Sequence, residues 1–210
     1  MKRLKGKKAL MITTINFFIL LLWGTGNLNN IGLGGEEMKK LEGKKVLMII
    51  AERNFRDEEL LEPKEILEKE GAKVIIASTS LEMATGMLGA RVTVDILIEK
   101  VKVDDYDTII FVGGSGASQY WNDSLAHKIA QEAVNKDKIL CAICIAPVTL
   151  ANADVLSGKK ATVWASEREK IETKGAIYTG KPVQVDGKII TANGPQAARD
   201  FAREIVKALT

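Results

Sequence analysis

KVLMIIAERNFRDEELLEPKEILEKEGAKVIIAS, residues 45–78, reads as strand, helix, strand. Residues 45–51 form a continuous apolar run, as a strand buried on both faces requires. Residues 57–70 repeat apolar positions at helical spacing. Asp57 is placed to cap that helix and Gly71 to stop it. Residues 73–78 (KVIIAS) then give a second buried strand. Two parallel strands joined by a covering helix are the unit of an open α/β sheet.

The pattern continues along the chain. Residues 91–98 suggest a strand on an edge or in an excursion. Residues 108–112 (TIIFV) form a core strand that runs into Gly113-Gly114-Ser115-Gly116. A helix is expected over 124–135, a strand over 138–143, a short helix over 146–153 and a short strand over 162–164. Residues 183–185 and 188–192 flank Asp186-Gly187, a hairpin turn signal. Pro195 opens a last helix whose Ala198, Phe201, Ala202, Ile205 and Leu209 share one face. The expectation is an α/β, doubly wound, mainly parallel sheet sandwiched by helices in a single domain over 38–210. Ligands of such sheets bind beyond the carboxyl ends of the strands. Three loops fall there: 52–59, 113–118 and 144–147.

Composition narrows the function. The chain has 30 basic and 27 acidic residues, but residues 1–37 hold five basic and two acidic ones, so 38–210 is formally neutral. No basic run or aromatic-basic interleaving marks a nucleic acid surface, and no nucleic acid partner is expected. One histidine and two cysteines leave too few ligands for a zinc site of those residues. No metal and no cofactor is expected.

The amino terminus has two readings. MKRLKGKK followed by the apolar residues 9–23 resembles a signal peptide or short signal anchor. No small-x-small cleavage site follows, which favours an anchor with the domain outside the membrane. Alternatively, Gly34-Gly35-Glu36 can be encoded by a sequence resembling a ribosome-binding site, which puts the start at Met38. The first reading anchors or exports the domain, with membrane contact only through residues 1–23; the second leaves it cytoplasmic.

Cys144 stands between the strand 138–143 and a short helix. A strand-to-helix turn lifts a side chain above the sheet edge, and a helix amino terminus favours thiolate. Amides at this turn and in the glycine loop can bind an oxyanion. A cysteine after a core strand is more often structural, and the acidic Asp57, Glu58, Glu59 and Glu62 also suit a helix amino terminus without any catalytic part.

Four segments together carry a resemblance. Ala142-Ile143-Cys144-Ile145-Ala146-Pro147 resembles the nucleophile elbow of the ThiJ/PfpI family, which includes deglycase-like proteins and intracellular proteases. Glu59-Leu60-Leu61-Glu62-Pro63 is similar to the segment whose glutamate reaches the cysteine. Phe111-Val112-Gly113-Gly114 is similar to the glycine loop, and 186–195 to the terminal hairpin and helix entry. The resemblance covers 45–210. It implies a flavodoxin-like fold, Cys144 as nucleophile, Glu59 against its sulfur, and the amides of Gly114 and Ile145 as the oxyanion site. Gly113, Ser115 and Trp164 would line the pocket, and the chain would pair as a homodimer. A carboxylate beside a thiolate repels it, so Glu59 supports a thiolate only when protonated and donating.

The departures matter as much. Protease-like members carry histidine after the cysteine, where Ile145 stands. Deglycase-like members carry histidine where Trp164 stands. His127 is expected on a solvent-facing helix side, so no Cys–His dyad is available. Cys141 and Cys144 are spaced C-x-x-C, but a strand sends residues three apart to opposite faces, which disfavours a disulfide. The resemblance implies thiol chemistry on small 2-oxoaldehydes or their adducts. A non-catalytic redox-sensing or stress-linked protein is the alternative, and a cysteine peptidase comes third.

Overall fold

The computed structural model describes residues 39–210. The anchor-like segment and the alternative start at Met38 lie outside the described residues. Among these, no helix is long and apolar enough to cross a membrane.

In chain order the strands and helices begin with β1 (Lys45–Ile49), β2 (Arg53–Phe55), α1 (Asp57–Lys69), β3 (Lys73–Ser78), β4 (Ala84–Gly86), β5 (Arg91–Val92) and β6 (Ile96–Leu97). There follow β7 (Thr108–Phe111), α2 (Ser124–Asn135), β8 (Ile139–Ile143), α3 (Pro147–Asn152), β9 (Lys160–Ala161) and α4 (Arg168–Glu172). The chain closes with β10 (Ile177–Tyr178), β11 (Val183–Asp186), β12 (Ile189–Ala192) and α5 (Ala198–Leu209).

Seven strands form the main sheet in the order β11-β12-β8-β7-β1-β3-β6. Every pair in it is parallel except the β11–β12 hairpin. The expected α/β architecture is therefore observed. Strand residues alternate between two apolar clusters. Leu47, Ile49, Leu140 and Ala142 pack with α2, α3 and α4. Val46, Met48, Ile139, Cys141 and Ile143 pack with α1 and α5. Burial on both faces explains why these strands read as unbroken apolar runs.

From β1 the sheet grows one way through β3 and the other way through β7. That reversal opens a crevice at the carboxyl ends of β1 and β7. The three expected loops converge there.

Local readings need correction at several places. Asp57 does not cap α1; Arg56 occupies that position without a side-chain cap. The buried Asp57 carboxylate instead accepts from the amides of Leu88 (2.8 Å) and Ala90 (2.7 Å). Both donors lie in the turn after β4, more than thirty residues along the chain. Residues 91–98 split: β5 joins β2 and β4 in a small separate sheet, and β6 edges the main one. Residues 162–164 are not a strand; β9 ends at Ala161 and pairs with β10. The Thr162 amide donates to Thr191 Oγ1 (2.9 Å), which ends ladder pairing there.

Candidate functional site

Cys144 follows the last residue of β8 and takes a left-handed conformation, φ 63°. Its amide still donates to Ala192 of β12 at 2.9 Å. A non-glycine residue held there costs about 1–2 kcal/mol, which the flanking ladder must support. The turn swings the side chain back, so Cys144 joins the same apolar cluster as Cys141. The expectation of opposite faces holds for a continuing strand, and the strand ends before Cys144. Both thiols are free; Cys141 is wholly buried, whereas Cys144 retains 9% exposure and lines a cleft of about 580 Å³.

The glycine loop closes one side. The Gly113 carbonyl accepts from the Arg56 amide at 3.0 Å, tying the loop to the start of α1. Gly114 has φ 96°, and a Cβ there would lie 2.3 Å from the Arg56 nitrogen. A Cβ on Gly113 would fall 2.3 Å from Glu59 Oε2 and 2.5 Å from Cys144 Cβ. Glycine is required because carboxyl and cysteine close on one point beside the loop.

Glu59 projects from the first turn of α1 and is fully buried. Among the described residues, none makes a hydrogen bond of ordinary geometry to either carboxyl oxygen. Burial raises its pKa to about 8, against smaller opposing effects of Cys144, the Arg56 charge and the Gly113 amide. Cys144 is pushed up to about 12, first by burial and then by charge on Glu59; the amides of Gly114 and Ile145 pull the other way. Two neighbouring groups in an apolar site cannot both ionise. At neutral pH the pair is therefore neutral, thiol beside carboxylic acid, and Glu59 is the first to lose its proton. The helix effect expected to favour thiolate loses to burial here. The helix α3 is six residues long and starts only at Pro147.

Two tryptophans wall the cleft. The Trp164 amide donates to the Cys144 carbonyl at 2.8 Å, and its ring packs against Gly194. Trp121 donates its indole N–H to the Ile145 carbonyl at 3.1 Å. Arg56, Ser115, Ser118 and Glu167 add polar groups to the lining. Sequence reading placed Cys144, Glu59, Gly113, Gly114, Ser115, Ile145 and Trp164 here, and the fold brings all seven together. It missed Arg56, Trp121 and Glu167, whose approach depends on tertiary packing. His127 is corrected: it is half-buried, and Nε2 donates to the Trp121 carbonyl at 2.8 Å rather than facing solvent.

A sequence model of the DJ-1/PfpI family matches residues 44–208. The chain belongs to the DJ-1/PfpI family. This is the ThiJ/PfpI resemblance carried by the elbow and the glycine loop. An uncharacterized protein of Methanocaldococcus jannaschii is 44% identical over 177 residues, 83% of this chain and 86% of that protein. The crystal structure of a ThiJ/PfpI domain protein from Brachyspira murdochii shares 33% identity and a TM-score of 0.78, covering 80% of this chain and 98% of that one. The structure of oxidized DJ-1 from Toxoplasma gondii shares 28% identity and a TM-score of 0.72, covering 79% and 90%. The solved relatives thus share this fold over most of the described residues.

Proposed function

We propose that Cys144 adds to small 2-oxoaldehydes or their adducts, with Glu59 relaying the proton. The observation that carries this is the buried Glu59 carboxyl beside Gly113, Cys144 and the cleft, without a hydrogen-bond partner of ordinary geometry among the described residues. A buried polar group left unpartnered costs about 1–3 kcal/mol, which a structural role does not repay.

A neutral carboxylic acid accepts on one oxygen and donates from the other. As sulfur bonds to the aldehyde carbon, the thiol proton passes to Glu59. The Glu59 proton passes to the aldehyde oxygen, which receives the carbonyl π pair. No net charge is created in an apolar site, where charge is disfavoured. The amides of Gly114 and Ile145 steady that oxygen. For methylglyoxal, transfer of the aldehyde hydrogen to the neighbouring carbon through an enediol leaves a thioester. Water then releases lactate and the free thiol.

Incubating the purified full chain with methylglyoxal and following lactate tests this. Formation of lactate that is lost in Cys144→Ser is expected. Turnover that survives Cys144→Ser contradicts it.

A second reading is redox sensing, favoured by the likeness to a DJ-1 solved in an oxidized form. Peroxide attacks thiolate, and burial of Cys144 works against that. Equal oxidation of Cys141 and Cys144 under mild peroxide, read by mass spectrometry, removes this reading. Peptidase chemistry lacks a base, since His127 is the sole histidine and bonds the Trp121 carbonyl.

A further inference from the structure

The two peptide planes that follow Cys144 are each held by a tryptophan. The first contains the Cys144 carbonyl and the Ile145 N–H. Its carbonyl end accepts from the Trp164 amide at 2.8 Å. The second contains the Ile145 carbonyl. That oxygen accepts from the Val148 amide at 3.3 Å and from the Trp121 indole at 3.1 Å. The indole is the only one of these donors that belongs to a side chain.

Trp121 is itself fixed from four directions. Its amide donates to the Ser118 carbonyl at 3.1 Å. Its carbonyl accepts from His127 Nε2 and from Asn152 Nδ2, both at 2.8 Å. Its ring face is covered by the Lys170 ammonium, 5.1 Å from the centroid. Lys170 also pairs with Glu167, another residue of the cleft lining. A tryptophan that only filled space would not need both its carbonyl and its indole N–H committed. The chain's single histidine is spent on this residue and not on the thiol.

We propose that Trp121 is a positioning residue, locking the turn after Cys144 so that the Ile145 amide stays aimed at the reacting sulfur and oxygen. His127 and Asn152 act through it by holding its main chain. The inference rests on the assignment of Cys144 and the Ile145 amide in the proposed function. It does not depend on which electrophile is the substrate.

The test follows alkylation of Cys144 by iodoacetamide against pH in the full chain. Trp121→Phe keeps a ring for Lys170 and removes the N–H. It is expected to raise the alkylation midpoint by roughly half a unit or more, the size of one hydrogen bond. The isostere β-(3-benzothienyl)alanine at position 121 keeps the full shape and should give the same rise. It carries the test alone if Trp121→Phe does not fold. His127→Ala should shift the midpoint in the same direction by less. A benzothienyl variant with the native midpoint overturns the proposal, because ring packing would then account for Trp121. So does a Trp121→Phe protein that melts lower with an unchanged midpoint. Alkylation needs no turnover. A native protein inert to methylglyoxal would therefore defeat the 2-oxoaldehyde reading and leave this result standing.

Discussion

Cys141 and Cys144 stand three residues apart and pack against the same apolar cluster, yet the fold treats them oppositely. Cys141 lies inside β8 with no exposure, and burial alone drives its thiol well above the ordinary range. Cys144 lies one residue past the strand, left-handed, at the cleft. It has a carboxyl, two amides and a cation within electrostatic reach. Residue type and apolar cluster are shared. What separates them is the backbone turn at the sheet edge.

The largest consequence is selectivity of labelling. At alkaline pH, with the fold intact, the full chain should take up one equivalent of iodoacetamide. Cys144→Ala should take up none, and Cys141→Ala one, read by intact-mass spectrometry. Labelling of Cys141 in the folded protein would erase the contrast.

A second consequence concerns Glu59. Its folded carboxyl holds a proton up to about 8, whereas its ordinary value is 4.5. The native state therefore binds the proton more tightly than the unfolded one. Stability is fully present below the unfolded value and falls as pH rises through this window, levelling above the folded value. Glu59→Gln cannot ionise and escapes the loss. Its urea stability relative to the native protein should grow by about 4 kcal/mol across the window. A difference that does not change with pH would place Glu59 in water.

A smaller effect sharpens the backbone argument. Cys141→Gly should cost about 2 kcal/mol, through a cavity and a flexible residue in a central strand. Cys144→Gly should be close to neutral, because glycine accepts the left-handed turn without strain. Equal losses in thermal unfolding would deny that Cys144 is held at a conformational cost.

The body of the sheet was legible because strands buried on both faces leave unbroken apolar runs. The segments 73–78 and 124–135 were read with the bounds the structure shows. The site was legible through four short segments and through glycines that close approach demands. What escaped was decided by partners far along the chain. Asp57 looked like a cap until the 86–90 turn offered two donors. Thr162 looked like strand until Thr191 took its amide. Trp121 carried no local signal, because its indole partner lies 24 residues away. The balance between helix field and burial at Cys144 was equally hidden, since it depends on how completely Glu59 is enclosed.

The central claim is that the Cys144–Glu59 pair rests neutral and places its first negative charge on Glu59. Its most direct test is the pH dependence of Cys144 alkylation in the full chain and in Glu59→Gln. The account predicts a native midpoint above the free-thiol value of about 8.5, lowered in Glu59→Gln because the repelling charge is gone. A native midpoint well below that value, raised by Glu59→Gln, would mean a resting thiolate held by a protonated Glu59 and would contradict it.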